Sequence, residues 1–262
     1  MYLDYWKLKR KPFENTPDPA FFYFSASHRD AYFRFQYALS ENKGAILLTG
    51  DYGCGKTTLI RLLIQEMSAT EKFQFALLNI PRGDGRDLLT VILTEFGEED
   101  IPESLSDIER MLGAYLVDSF MNKISTVVIV DEAQLIQDKD ALEELRLLLN
   151  FQLNDRFLIN LFLVGQPEFI KAIDDMPQLK QRFFTRYHLG PLEQKDIQPY
   201  ITHRLKIAGR EEPIFSEGAL ELIWEQTKGV PRLINNLCDL SLLFGLTMKQ
   251  EVISRALLER TL

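Results

Sequence analysis

The chain has 262 residues, 46% hydrophobic and 26% charged, with a formal net charge of −8 and a pI near 5.1. That length suits one α/β domain plus a smaller satellite, and that balance excludes a disordered chain. The acidic charge speaks against a dedicated nucleic-acid binder, which is more often basic. The apolar stretch 158–164, broken only by Asn160, is far short of the roughly 20 residues that span a bilayer. The opening Met1-Tyr2-Leu3-Asp4 lacks the basic and apolar regions of a signal peptide. With Cys54 and Cys238 as the only cysteines, and Cys54 inside a glycine-rich loop where a disulfide would be awkward, a reducing, cytoplasmic compartment is expected.

Residues 1–40 carry Pro12-Phe13, Pro17-Asp18-Pro19 and Phe21-Phe22-Tyr23-Phe24, which predict a loop packed on the body of the protein, then a helix over 28–39. The run Ala45-Ile46-Leu47-Leu48-Thr49, flanked by glycines, predicts a buried parallel strand. A helix over 56–67 follows, with Leu59, Leu62, Leu63 and Met67 on one face. Further strands are predicted over 73–78, 126–130, 158–164 and 187–189. Helices over 86–97, 105–122, 139–149 and 167–174 lie between them. Such alternation implies right-handed crossovers and a parallel sheet sandwiched by helices. After Pro191 the pattern turns purely helical, over 193–209, 216–227, 232–247 and 250–260. The expected organisation is an N-terminal aromatic segment (1–40) packed on the core, an α/β core (41–190) and a small helical domain (191–262).

The stretch Gly50-Asp51-Tyr52-Gly53-Cys54-Gly55-Lys56-Thr57 fits G-x-x-x-x-G-K-[ST] between a predicted strand and a predicted helix, the context this motif requires. Its glycines let backbone N–H groups curl round phosphate oxygens at a helix N-terminus. Lys56 is expected to reach the β and γ phosphates of ATP and Thr57 to ligate magnesium, with Thr58 completing the nucleotide-binding stretch. The apolar run Val127-Val128-Ile129-Val130 then delivers Asp131 and Glu132 at a strand's C-terminal end, where open α/β sheets bind ligands. Asp131 would hold magnesium through water, and Glu132 would orient and deprotonate the attacking water.

Other positions are placed to tune that chemistry. Asn79 ends the intervening strand, where it could hydrogen-bond Glu132 and hold it off the water until a partner engages. Gln166 ends the next strand and could touch the γ-phosphate or the nucleophilic water. Arg182 and Arg186 precede the last predicted strand, where an arginine could project into a neighbouring subunit's site. Arg232, in Gly229-Val230-Pro231-Arg232, could reach back over the phosphates. His28, His188 and His203 show no metal-ligand spacing, so no zinc is expected. His28 reads as structural, and Cys54 as a permissive loop position.

With these residues the chain resembles the ExeA-type ATPases, the general secretion pathway protein A group. The likeness runs through Pro12-Phe13, Thr16-Pro17-Asp18-Pro19 with Phe22-Tyr23, the phosphate-loop motif and Asp131-Glu132-Ala133-Gln134. It continues in Leu163-Val164-Gly165-Gln166-Pro167-Glu168, Arg186-Tyr187-His188-Leu189-Gly190-Pro191-Leu192 and Gly229-Val230-Pro231-Arg232. The resemblance implies an AAA+ (ASCE) P-loop NTPase fold with a helical lid, ATP hydrolysis with magnesium, and an N-terminal aromatic segment near the adenine. It implies a homo-oligomer, ring or filament, with nucleotide at the subunit interfaces and Arg182 or Arg186 acting in trans. It also implies a protein partner in envelope assembly, such as type II secretion or pilus systems, through which the chain would meet the membrane. Members of the group commonly continue into a membrane span and a peptidoglycan-binding domain, and these 262 residues hold neither. Related ATPases regulate transposition by binding DNA, which supplies an alternative, a nucleotide-switched DNA-binding ATPase. The acidic charge favours the first reading, and Lys7-Leu8-Lys9-Arg10-Lys11 is the one sequence feature that favours the second.

Overall fold

The computed structural model describes residues 2–154 and 156–261; Met1 and Leu262, the outer limits of the expected first and last domains, lie outside the described residues. Five strands, β1 (Ala45–Gly50), β2 (Phe73–Leu78), β3 (Ser125–Val130), β4 (Ile159–Gly165) and β5 (Phe183–Leu189), form one parallel sheet in the order β2-β3-β4-β1-β5. The three inner strands are mostly Val, Ile, Leu, Phe and Ala, and all but Ser125 of their residues are buried, as suits strands covered on both faces. Helix α1 (Ala26–Ser40) precedes the first strand, and the crossovers are carried by α2 (Lys56–Ser68), α3 (Gly85–Glu95), α4 (Leu105–Met121), α5 (Lys139–Leu148), α6 (Phe169–Asp174) and α7 (Pro177–Lys180). Four more helices follow: α8 (Ile197–Ile207), α9 (Glu217–Thr227), α10 (Pro231–Thr247) and α11 (Arg255–Glu259). Among the described residues no helix is long and apolar enough to cross a membrane.

The chain divides into two compact units, one of residues 30–50 and 62–189, the other of residues 1–29, 51–61 and 190–262. In the first, one face of the sheet (Leu47, Val128, Val130, Leu161, Leu163) meets Leu88, Leu89 and Ile92 of α3, Ile108 and Leu112 of α4, and Leu142 and Leu145 of α5. On the other face Phe35 of α1 packs against Phe162 of β4, ring centroids 5.7 Å apart. The second unit has its own core, in which Trp6, Phe13 and Phe21 join Tyr200, Leu222, Ile223, Cys238 and Leu242. The N-terminal aromatics are therefore part of a core shared with the C-terminal helices. Polar contacts pin them there. The Trp6 indole N–H donates to the Leu242 carbonyl at 2.8 Å, and buried Arg204 donates to the carbonyls of Pro12 and Glu14 at 2.6 and 2.9 Å.

Several elements differ from expectation, among them α8, which starts at Ile197 after a separate tight turn over Gln194–Asp196. β5 starts at Phe183, four residues early, because an edge strand with one wet face alternates half-buried and exposed residues and shows no apolar run. Arg186 consequently lies within that strand and only Arg182 precedes it. The short helix α7 opens on Pro177, whose fixed φ suits a first helical turn. The last helix begins at Arg255, five residues late. The Ile253 N–H is drawn to the Ile214 carbonyl at 2.8 Å, and Ser254 caps the helix through the Leu257 N–H.

Candidate functional site

β1 ends at Gly50, the chain makes the loop 51–55, and α2 opens at Lys56. Gly53 and Gly55 have φ of +81° and +93°, backbone that side-chain-bearing residues adopt only with strain. A Cβ on Gly53 would also lie 2.7 Å from that of Arg232, so glycine is required there twice over. The Lys56 ammonium donates to the Asp51 carbonyl at 3.1 Å and so bends back over the loop. Arg232, at the start of α10, uses its backbone N–H to meet the Gly53 carbonyl at 3.3 Å, and its guanidinium lies 4.4 Å from the Tyr52 ring centroid. Arg232 thus stands on the phosphate loop, where its placement over phosphates was expected from sequence.

His28 does more than the sequence indicates. It is 3% exposed, its Nε2 is 2.9 Å from the Cys54 carbonyl oxygen, and its Nδ1 is 2.7 Å from Ser25 Oγ. A carbonyl can only accept, so Nε2 carries the proton and the neutral ring accepts from Ser25. Burial pushes the ring's pKa down, against the opposing effect of the Cys54 carbonyl, which agrees with a neutral imidazole. A trans peptide aims its N–H opposite to its C=O. By holding the Cys54 carbonyl, His28 sets the direction of the Gly55 N–H. The Cys54 thiol is buried and its pKa pushed up to about 11, which keeps it a neutral thiol.

In the sheet-containing unit, β1 and β3 end on the same edge with β4 between them. Asp131, 4% exposed, follows β3, and its backbone N–H donates to the Leu78 carbonyl at 2.8 Å. Asp131 Oδ1 accepts the Glu132 N–H at 2.9 Å, and Glu132 sits at φ 53°, ψ 39°. The left-handed backbone is uncommon outside glycine and turns the Glu132 side chain away from the line of the strand. The Gln134 side chain then donates through Nε2 to Glu132 Oε2 at 2.5 Å and accepts the Gln166 N–H through Oε1 at 3.0 Å. Three residues at the ends of β3 and β4 are thereby brought together. Asn79 is exposed beyond β2 and, among the described residues, the hydrogen bond to the Glu132 carboxylate comes from Gln134.

The arginines differ in how they are held. Arg186 donates to the Lys180 carbonyl at 2.7 Å, lies 3.7 Å from Asp174 and stacks over Phe183. Arg182, just ahead of β5, donates to the Asn150 side chain at 2.9 Å. Thr57 is half-buried in the first turn of α2, and Asp131 is buried at the end of β3 in the other unit.

A family model described as an AAA domain matches residues 39–173, more than half of the chain. The chain is 36% identical over 246 residues to General secretion pathway protein A of Aeromonas hydrophila, covering 93% of this chain and 44% of that protein. It therefore spans less than half the length of that curated relative. Among solved structures, the Aeropyrum pernix ORC1 protein in complex with DNA superposes with a TM-score of 0.71 at 15% identity, over 97% of this chain and 69% of that one. The Aeropyrum pernix ORC2 protein (ADPNP-ADP complexes) gives 0.70 at 18% identity, over 97% and 70%. The Thermotoga maritima RuvB Holliday junction branch migration motor gives 0.60 at 18% identity, over 89% and 67%. At these identities the solved structures speak for the fold, a P-loop NTPase with a parallel five-stranded sheet, and the matched family model says the rest: the chain belongs to the AAA domain family.

Proposed function

We propose that this protein binds ATP with magnesium, hydrolyses it, and uses the cycle to drive or regulate assembly of a larger complex. The observation that carries the reading is a glycine-built loop held in shape by His28 and Arg232, directly after a buried strand and opening a helix. Lys56 would neutralise the β and γ phosphates, while backbone N–H groups of 53–57 would cradle them. Thr57 and Asp131 would hold the magnesium, which when bound offsets charge on the phosphates. Glu132 would take a proton from water as its oxygen attacks the γ-phosphorus, and the bond to the β–γ bridging oxygen breaks to leave ADP and phosphate. Gln166 would contact the γ-phosphate or that water, and Arg182 or Arg186 would enter the site of the next subunit in a ring or filament. Residues 191–262 would act as the lid, with Arg232 reporting on the nucleotide.

The relative named General secretion pathway protein A supports secretion or pilus machinery of the envelope as the complex concerned. The basic run that favoured DNA is partly engaged within the chain. Arg10 lies 3.7 Å from Asp18 and 4.3 Å from the Phe21 ring centroid, and Lys11 pairs with Glu14 at 2.8 Å. Protein contacts are therefore the better-supported mode. The test is equilibrium titration with ATP and magnesium, for wild type and Lys56→Ala, beside a salt-titrated DNA-binding assay. The proposal expects saturable ATP binding that Lys56→Ala abolishes, and little DNA affinity at 150 mM salt. Equal ATP affinity in Lys56→Ala would refute the phosphate site.

A further inference from the structure

We infer that Gln134 is a positioning residue for the hydrolytic step, fixing the Glu132 carboxylate relative to the end of β4. The inference rests on the proposed role of Glu132 as the base, and it assigns a function to a residue that the sequence marks only as the last of Asp-Glu-Ala-Gln.

One primary amide holds two groups that lie 34 positions apart, the Glu132 carboxylate and the Gln166 N–H. Its nitrogen, which can only donate, meets a carboxylate oxygen 2.5 Å away, and its oxygen, which can only accept, meets a backbone N–H 3.0 Å away. The partners fix the amide's orientation, since the flipped amide would set oxygen against carboxylate and NH₂ against N–H. Space for the arrangement comes from Gly165. A Cβ at that position would lie 3.0 Å from Gln134 Oε1, closer than ordinary van der Waals contact. Ala133 beside it is fully buried, and Leu135 and Ile136 return their N–H groups to the carbonyls of Glu132 and Ala133 at 2.9 and 3.1 Å. Gln134 therefore projects from a tight turn whose path is set by its neighbours.

The chemical consequence follows from the two oxygens of a carboxylate. Gln134 occupies Oε2 of Glu132, which leaves Oε1 as the oxygen turned to a water. Without that hold, a glutamate on a surface turn samples several rotamers, and a base misplaced by about 1 Å loses on the order of 100-fold in rate. The second bond ties the same amide to the backbone of Gln166, the residue expected at the γ-phosphate. The base and that residue are thus held by one side chain.

The test compares steady-state ATP hydrolysis and ATP affinity for wild type, Gln134→Ala, Gln134→Glu, Glu132→Gln and the double variant Glu132→Gln with Gln134→Ala. We expect Gln134→Ala to lower kcat by roughly 10- to 100-fold with ATP affinity unchanged. The double variant should be no slower than Glu132→Gln alone, because a group that acts through Glu132 has nothing left to position. Gln134→Glu can donate to Glu132 only when its new carboxyl is protonated, so its activity relative to wild type should rise as pH falls. A merely structural residue would produce no such pH dependence. Wild-type or raised kcat in Gln134→Ala, or a loss that multiplies undiminished onto Glu132→Gln, overturns the inference while leaving the ATPase reading standing. A wild-type protein that binds ATP without hydrolysing it overturns that reading and this inference together.

Discussion

Replacing His28 with alanine removes two buried hydrogen bonds and leaves the Cys54 carbonyl without its donor. Each lost bond costs about 1 kcal/mol net, and a buried acceptor left unpaired about 1–3 kcal/mol. The ring's edge contact with Phe22, centroids 5.4 Å apart, is lost as well. The sum is about 3–5 kcal/mol of stability. At roughly 2–4 °C per kcal/mol for a protein of this size, the melting temperature should fall by roughly 6–20 °C. Function should fall separately, because the Gly55 N–H loses its fixed direction. One charge-assisted bond to phosphate is worth about 1.5–3 kcal/mol, which corresponds to roughly 10- to 100-fold in nucleotide affinity. His28→Gln, whose amide can still donate toward Cys54, should recover part of both. The assays are thermal melts without nucleotide and titration with a fluorescent ADP analogue at a temperature where both variants are folded. An alanine variant that melts like wild type and binds nucleotide equally well would refute the argument that His28 holds the loop.

Further expectations concern assembly and pH. Arg182→Ala should bind ATP normally yet hydrolyse it roughly 1000-fold more slowly. Mixing it with Glu132→Gln should restore some turnover, since each Arg182→Ala subunit keeps its own Glu132 and borrows an arginine; a mixture that stays inactive argues against action in trans. Burial lowers the pKa of both His28 and His203 below 6.5, so the unfolded chain takes up protons first as pH falls. Their contribution to stability is complete above about pH 6.5 and is lost as pH drops below it. Denaturant midpoints should therefore decline from pH 7 to pH 5, with a shallower slope in His28→Gln; a midpoint that holds constant would contradict this.

Much of the fold is legible in the residues because of how parallel strands are buried. β1, β3 and β4 are covered on both faces and read as short, mainly apolar stretches, and glycine and lysine at fixed spacing mark the turn that follows β1. β5 is half wet and reads as a mixed stretch, which hides Phe183 and places Arg186 outside the strand it belongs to. The candidate site is proposed from local signals at Lys56, Thr57, Asp131 and Glu132. It is not legible where a bond joins distant positions. Nothing in the composition near residue 134 says that its amide will meet Gln166, and nothing near His28 says that it will meet Cys54. Arg204 is a similar case, a buried charged residue in a mixed helix whose partners are the carbonyls of Pro12 and Glu14 nearly 200 positions away. A histidine three residues after a serine, just at the start of a helix, was the one local signal available for His28.

The central claim is that this AAA protein binds ATP and turns it over through Glu132. Phosphate release measured beside ATP binding, for wild type and Glu132→Gln in the same magnesium buffer, tests it most directly. The account predicts wild-type release at a steady rate, and a Glu132→Gln protein that binds ATP with unchanged affinity while releasing phosphate at least about 100-fold more slowly. Release by Glu132→Gln at the wild-type rate, or none from wild type with ATP bound and the protein assembled, would contradict it.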